Sequence, residues 1–335
     1  MIKVITVLLA VLVALSLGIS ACQRSQPRIE FREPPRTPDP APSNWQLSQP
    51  QTNTLLGISG SSENDVFAVG IDGTILRYDG TVWAIMDSNT NEDLNGLWGS
   101  SPIDVFAVGD IGTILHYDGI SWSPMNSGTK NHLKDIWGSS AADIFAVGLN
   151  GTLLHYDGKT WSTVHLNFEK MLLGIWGTSA SDVFAVGRYN AIFHYDGQEW
   201  TLMTEITDGI EFLTSVWGGS STDVFAAGFQ GEILYYDGKV WSSMARDVNE
   251  TLMDSLGVSH IMDIWGYSSI GDIWGNSSDD VFATAVEDII LHFDGSRWSS
   301  IHTGTDINIK GIWGSSENDI FTVGEDGIIL HYSGD

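Results

Sequence analysis

Carboxylates are the side chains of this sequence that could do chemistry at a repeated spacing. Five of them fall in short loops between predicted strands: Asp72, Asp110, Glu287, Glu325 and Asp326. Glycoside hydrolysis needs two carboxyl groups flanking the scissile bond, with their pKa values pushed apart. Nothing in the sequence separates one pair from the others. We therefore interpret the five as an acidic rim, and a two-carboxylate hydrolase site stays open as an alternative.

A second group combines an arginine with aromatic side chains, the usual composition of a protein-recognition hot spot. Two members share one predicted loop, two share the next, and two lie in an insertion further along: Arg188, Tyr189, Phe229, Gln230, Trp265 and Tyr267. The group predicts a ligand-binding face for a protein, or for a sugar stacked on the rings. Neutral sequence variation in exposed loops would give the same pattern.

Histidine is the third group with chemical potential, and five residues occupy one position of a repeat: His116, His155, His194, His292 and His331. Metal ligands must lie about 2 Å from a shared ion, and equivalent positions of separate repeats are too far apart for that. We interpret these histidines as packing residues and predict no metal and no cofactor. There is also no G-x-S-x-G, H-E-x-x-H or phosphate-binding glycine loop, so no catalytic residue is predicted.

The element that must position these residues is a unit repeated seven times, close to IWGSSxxDVFAVGxxGTILHYDGxxWSxM. Its first Asp recurs at spacings of 39, 39, 39, 41, 57 and 39 residues: Asp65, Asp104, Asp143, Asp182, Asp223, Asp280 and Asp319. Each unit reads as four short strands separated by turn signals. Strands that are apolar on both faces fit sheets sandwiched between neighbours. The sequence predicts an all-β, seven-bladed β-propeller with four antiparallel strands in each blade.

The two ends of the repeat array complement each other. The last unit stops at Asp335 without a fourth strand. Trp45 precedes the first unit and matches the tryptophan that begins the fourth strand of a complete unit, such as Trp83. The strand at Trp45 is therefore predicted to complete the last blade. Such closure removes the exposed sheet edges of an open array.

The DG-x-x-W turns and the sevenfold pattern resemble Asp-box (BNR-type) β-propellers, and more distantly the propellers of photosystem II assembly factors. The resemblance covers Trp45 to Asp335, although Asp and Gly are adjacent here, as in Asp79-Gly80. It implies a secreted glycoside hydrolase or lyase as one possible function. Sialidase-like sites of that kind use three arginines, and the four beyond the tether cannot form such a triad: Arg77, Arg188, Arg246 and Arg297. We therefore expect a non-catalytic binding or scaffold protein. An assembly factor would be expected to carry a basic patch, which this acidic domain argues against.

Antiparallel blades place their turns on two faces of the disc. The repeated face carries the turns between strands 1 and 2 and between strands 3 and 4, which are nearly identical in all units. The variable face carries the loops between strands 2 and 3 and the links between blades, where the Arg/aromatic group lies. An insertion at about residues 245–271, including the doubled DIWG at Asp263 and Asp272, enlarges that face. We expect this insertion to carry specificity, and its excision to leave the fold intact.

The N-terminus predicts export and lipid attachment. Residues 1–21 read as a signal peptide, and Ile19-Ser20-Ala21-Cys22 resembles the lipobox of bacterial lipoproteins, with Cys22 as the lipidated residue. Gln23 after that cysteine favours the outer membrane by the same resemblance. Residues 22–44 hold six of the nine prolines and predict a tether. The expected product is a monomeric, lipid-anchored protein of the bacterial cell envelope.

Charge divides at the end of the tether. Ten of the 15 Lys and Arg residues and 39 of the 42 Asp and Glu residues follow Asn44. So acidic a domain makes nucleic acid and anionic lipid poor partners. A protein or a carbohydrate is the expected ligand.

Overall fold

The computed structural model describes residues 44–50, 52–204, 212–256, 270–286, 288–305 and 307–334. Strand order within each sheet follows the repeat, and seven four-stranded antiparallel sheets form the blades. The predicted seven-bladed β-propeller is confirmed. Its cores lie between the blades, where each apolar cluster joins side chains of two neighbouring sheets.

The strands of each blade are numbered along the chain. Blade 1 contains β2 Leu55–Ser62, β3 Asp65–Gly70, β4 Ile75–Tyr78 and β5 Trp83–Met86. Blade 2 contains β6 Leu94–Ser101, β7 Asp104–Gly109, β8 Ile114–Tyr117 and β9 Trp122–Met125. Blade 3 contains β10 Leu133–Ser140, β11 Asp143–Gly148, β12 Leu153–Tyr156 and β13 Trp161–Thr163. Blade 4 contains β14 Leu172–Ser179, β15 Asp182–Gly187, β16 Ile192–Tyr195 and β17 Trp200–Thr204. Blade 5 contains β18 Leu213–Ser220, β19 Asp223–Gly228, β20 Ile233–Tyr236 and β21 Trp241–Ser243. Blade 6 contains β22 Ile273–Ser277, β23 Asp280–Thr284, β24 Ile289–Phe293 and β25 Trp298–His302. Blade 7 contains β26 Ile309–Ser316, β27 Asp319–Gly324, β28 Ile329–Ser333 and β1 Trp45–Ser48. One α-helix, α1, follows blade 5 at Ala245–Leu256.

The N-terminal strand closes the ring as predicted. β1 pairs antiparallel with β28, with Trp45 opposite Tyr332 and Ser48 opposite Ile329. The Trp45 and Tyr332 ring centroids lie 5.5 Å apart. The first and last strands of the propeller therefore share one blade, and the array has no open end.

The repeated Asp at the start of strand 2 ties three strands of its blade together. In blade 7, Asp319 accepts hydrogen bonds from Ser315 Oγ at 2.6 Å and from His331 Nε2 at 2.6 Å. The His331 ring stacks on Phe321 with centroids 3.9 Å apart. Where histidine is missing, Arg77 and Tyr235 bind the same Asp oxygen in their own blades. The packing interpretation of the histidines is confirmed, with an added role as donors to the repeated Asp.

The Asp-Gly turn between strands 3 and 4 is held by its own carboxylate. Asp79 Oδ1 accepts the N–H groups of Thr81 and Val82 at 2.9 Å each. These hydrogen bonds lower the pKa of Asp79. An Asp-Gly pair predicts a type I′ hairpin, which needs a positive φ at both central residues. That prediction is wrong here, because Gly80 takes a φ of +90° but Asp79 does not take a positive φ. Asp therefore serves as a side-chain cap of the turn.

Strand-1 tryptophans seal neighbouring blades near the repeated face. Trp98 of blade 2 lies on Gly138 of blade 3, so closely that a Cβ on Gly138 would be 2.8 Å from the indole. The same close approach recurs around the ring. Blade 1 is the exception because Ser59 replaces the tryptophan, and a small gap of about 10 Å³ remains beside Gly99.

Filling that gap should stabilise the protein. The Ser59→Trp variant is expected to gain about 1–2 kcal/mol in the free energy of unfolding, because the indole would cover Gly99 as the other strand-1 tryptophans cover the glycine of the next blade. Denaturant unfolding of the two proteins measures the gain. Gly99→Ala serves as the control: it should cancel the gain in Ser59→Trp and cost less in the wild type. A Ser59→Trp protein less stable than the wild type would contradict the assignment of the gap.

The described part of the insertion belongs to the core. Val248 and Leu252 of α1 are buried in the cluster between blades 5 and 6, together with Ile289 and Trp298. Thr251 Oγ1 donates to the Trp298 carbonyl at 3.2 Å. This changes the expectation that excision would leave the fold intact, because removal of α1 would expose the core side chains that Val248 and Leu252 cover. Residues 257–269, with the first DIWG, lie outside the described residues.

Candidate binding face

The loops between strands 2 and 3 are tight turns that display two side chains each. In blade 1 the turn Ile71–Gly73 has Asp72 in the left-handed region at φ 55°. The N–H of Ile71 donates to the Thr54 carbonyl of the preceding link at 3.0 Å. Loop and link are thus hydrogen-bonded to each other, and the same bond recurs in blades 2, 3, 4, 5 and 7.

Blades 4 and 5 bring the Arg/aromatic residues into one cluster. The Arg188 guanidinium carbon lies 4.9 Å from the centre of the Tyr189 ring and 5.5 Å from that of Phe212. Phe212 in turn packs on Phe229 with centroids 5.3 Å apart. Such cation–π contacts are worth about 0.5–2 kcal/mol each and hold the guanidinium in place. We call Arg188, Tyr189, Phe212 and Phe229 the Arg/aromatic cluster.

The cluster is partly exposed. Phe229 is 42% exposed, and Arg188 and Tyr189 are half-buried. Arg188 Nε is buried and has no hydrogen-bond partner among the described residues. Phe212 was missed from the sequence because it lies in the blade 4–5 link, outside the repeated pattern. Its pairing with Arg188 as an isolated bridge is a tertiary feature.

The other predicted binding residues have mixed outcomes. Gln230 is exposed beside Phe229 and takes φ 61°. Trp265 and Tyr267 lie outside the described residues. A binding role for any of these residues stays a prediction.

The acidic rim is partly neutralised by lysines. Asp110 accepts hydrogen bonds from Asn95 at 2.9 Å and Lys134 Nζ at 3.2 Å, and His132 Nδ1 lies 2.9 Å away. Burial acts to raise the pKa of Asp110, but these partners outweigh it and hold the pKa below its usual value. Glu325 pairs with Lys310 at 3.0 Å, which lowers the pKa of that carboxyl.

The remaining rim residues make fewer contacts. Asp72 accepts a hydrogen bond from Asn53 Nδ2 at 3.0 Å. Asp326 takes φ 54° in the middle of its turn. Glu287 lies outside the described residues. The rim acids whose pKa is shifted, Asp110 and Glu325, are thus both favoured in the ionised form.

Strand 1 of every blade lines a central channel with a cavity of about 130 Å³. Asp135 of blade 3 accepts the N–H of Ile136 and, across the blade boundary, the N–H of Ile175, both at 2.8 Å. Asp272 of blade 6 accepts the N–H of Ile312 of blade 7 at 3.0 Å. Each carboxylate therefore joins strand 1 of two neighbouring blades.

These channel carboxylates were missed by sequence reasoning, although a signal exists. Their repeat position, one residue before the Ile of IWG, holds Gly or Ser in the other blades: Gly57, Gly96, Gly174, Ser215 and Gly311. An acid at this position in only two copies marks a departure from the shared blade. The second member of the doubled DIWG supplies Asp272.

Stability should depend on pH through Asp135. The side chain faces only the narrow channel, and burial raises its pKa to about 7, with a smaller contribution from Asp272. Because the folded pKa exceeds the unfolded value of 3.8, this group stabilises the fold at low pH. That contribution falls by at most about 1.4 kcal/mol per pH unit as the pH rises toward 7, and then levels off.

Asp135→Asn should therefore flatten the stability profile between pH 5 and pH 7. Denaturant unfolding of wild type and variant at several pH values in that window measures the difference in slope. Parallel profiles for the two proteins would show that Asp135 is ionised in the folded state over the whole window.

Two kinds of feature are absent from the described residues. That part of the chain contains no group of three or more His, Cys, Asp or Glu side chains placed to hold a metal ion. It also contains no helix long and apolar enough to cross a membrane.

Comparison with known proteins places this fold among solved propellers. No protein-family model and no curated protein matches the sequence. The structure is similar to "YCF48 bound to D1 peptide", with a TM-score of 0.68 and 17% identity over 88% of this chain and 99% of that one. YCF48 from Cyanidioschyzon merolae gives a TM-score of 0.65 and 14% identity, covering 86% and 98% of the two chains. The WD40 β-propeller domain of Doa1 gives 0.69 and 11%, covering 88% and 98%. At these identities the likeness concerns the fold.

Proposed function

We propose that this propeller is a non-catalytic binding protein that holds a segment of a partner protein on its variable face. The observation that carries the proposal is the Arg/aromatic cluster. Arg188 is a fixed cation flanked by aromatic rings, in a domain dominated by acidic residues. A carboxylate on the partner would complete it, since arginine binds planar anions in a bidentate manner.

A peptide suits this face better than a sugar substrate does. YCF48, whose fold is similar, binds a D1 peptide, so a propeller of this fold can hold a peptide. The channel carboxylates are poor candidates for hydrolysis because both oxygens of Asp135 accept backbone N–H groups. The channel cavity, at about 130 Å³, is also smaller than usual small-molecule sites of about 300–1,000 Å³.

Peptide and glycan arrays probed with the full chain test the proposal and its ligand class. Arg188→Gln should weaken binding of array peptides with acidic residues by about tenfold or more, as hot-spot substitutions do. Arg297→Gln is the matched control, since that arginine is 80% exposed on the repeated face. Equal binding by both variants, or binding of glycans alone, would refute the assignment.

We also propose that the protein works as a lipid-anchored monomer at the bacterial outer membrane. The lipobox-like Ile19-Ser20-Ala21-Cys22 and the proline-rich residues 22–44 support this proposal. We also keep the proposal that the chain is related to Asp-box (BNR-type) β-propellers, which its DG-x-x-W turns and sevenfold pattern support. Cys22→Ser should release the protein from the membrane fraction of cells, and membrane retention of that variant would contradict lipid anchoring.

A further inference from the structure

Seven grooves run down the outside of the propeller, one between each pair of neighbouring blades. Each lies between strand 4 of one blade and strand 4 of the next, and both of these strands begin with a tryptophan. The residue three positions after the tryptophan of the first blade closes the groove. In five grooves a large apolar side chain at this position joins the same apolar cluster as the next tryptophan: Met86 with Trp122, Met125 with Trp161, Met203 with Trp241, Met244 with Trp298, and Ile301 with Trp45.

The closing residue is small in the other two grooves. Val164 takes this place between blades 3 and 4, and Ser48 takes it between blades 7 and 1. Both grooves are open, with volumes of about 660 and 430 Å³. The larger one lies beside Trp200, and Leu202 on its outer strand is 41% exposed. Its volume falls within the range of about 300–1,000 Å³ seen for ligand sites.

The protein shows in its own structure that a helix fits over a groove between blades, even where Met244 fills the closing position. Between blades 5 and 6, α1 lies over the groove and buries Val248 and Leu252, which are four residues apart. Hydrogen bonds fix the helix to strand 4 of blade 6, from Thr251 to the Trp298 carbonyl and from Ser255 to Ser300 Oγ at 2.5 Å. A helix with two apolar residues on one face therefore matches this surface.

The blade 3–4 groove contains only half of that arrangement. Phe168 occupies the repeat position of Val248 and is buried against Phe193, with ring centroids 5.2 Å apart. The chain then enters β14, so no residue takes the place of Leu252. The position of Ser300 is held by Leu202, which has no helix over it among the described residues.

We propose that the blade 3–4 groove is a docking site for a short amphipathic helix of a partner protein, with a large apolar residue in the place that Leu252 fills between blades 5 and 6. Charge selects the flanks of that helix. Glu199 lines the groove, whereas Asp143 beside it is already hydrogen-bonded by Ser139 and His155. The folded domain carries a large excess of acid. Complementarity therefore calls for lysine or arginine beside the apolar face.

The test uses a panel of short, lysine-rich helical peptides that carry two large apolar residues four positions apart. Fluorescence anisotropy measures their binding to the full chain in detergent. Leu202→Lys places a cation against the basic peptide and should weaken binding about tenfold or more. Ile85→Lys is the matched control, because Ile85 holds the same repeat position in the strand that begins with Trp83 beside the blade 7–1 groove, and it should leave binding unchanged.

Two further variants keep the result interpretable. Leu202→Ala should also weaken binding by removing the exposed apolar side chain, and it guards against misfolding of Leu202→Lys. Arg188→Gln should bind like the wild type, which separates this groove from the Arg/aromatic cluster. The proposal is overturned if no peptide of the panel binds the wild type more tightly than Leu202→Lys.

Discussion

Deleting Asn44 to Pro50 is expected to remove the cooperative thermal transition of the propeller or lower its midpoint steeply. The deletion takes away β1, the only partner of the outer side of β28. It also removes Trp45, which packs between blades 6 and 7. Loss of a fully buried tryptophan costs about 3–5 kcal/mol, and the half-buried Trp45 contributes part of that. Without β1, β28 would also become an exposed edge.

Calorimetry or circular dichroism measures this effect. The control is a deletion of equal length within residues 23–43, which should leave the midpoint unchanged. If the two deletions gave the same midpoint, ring closure by the N-terminal strand would contribute nothing to stability.

Truncating the buried face of α1 should produce the second large effect. Leu252→Ala is expected to lower the free energy of unfolding by about 2–5 kcal/mol, because a leucine buried between blades is removed and the site cannot collapse. Asp254→Ala, on the exposed side of the same helix, should change it by less than about 0.5 kcal/mol. Chemical denaturation of both variants decides whether α1 is a structural part of the propeller or a surface addition. Equal stability of the two variants would favour the surface addition.

The fold was predictable because the chain carries seven copies of one solution. Comparison of the copies shows which residues every blade needs, such as the Asp that Ser315 and His331 hold in blade 7. Ring closure followed from Trp45, since one missing strand and one spare strand match. These are local or periodic signals, which sequence patterns report well.

The candidate sites were less predictable because they depend on departures from the repeat. Arg188 and Phe229 are visible as unusual loop residues, but Phe212 joins them only through the contact between a loop and a link. The channel carboxylates bridge neighbouring blades, a contact that no single repeat contains. The sequence shows that Val164 is smaller than most residues at the same repeat position, but only the structure shows that it lies in the same cluster as Trp200.

The two proposed surfaces suit partners of different chemistry. The Arg/aromatic cluster is a polar site on the variable face, suited to an anionic group. The blade 3–4 groove is an apolar cleft on the outside, suited to a basic amphipathic helix. A partner could use either one, and a complex could use both at once, as linked weak sites together give strong attachment.

Site-specific photo-crosslinking in cells tests the central claim most directly. A photoreactive residue placed at Tyr189 or Phe229 reports on the variable face, and one at Asp157 reports on the repeated face. The proposed function predicts a discrete protein adduct from the first two positions and none from Asp157. Equal adducts from both faces, or none from Tyr189 and Phe229, would contradict a binding role for the variable face.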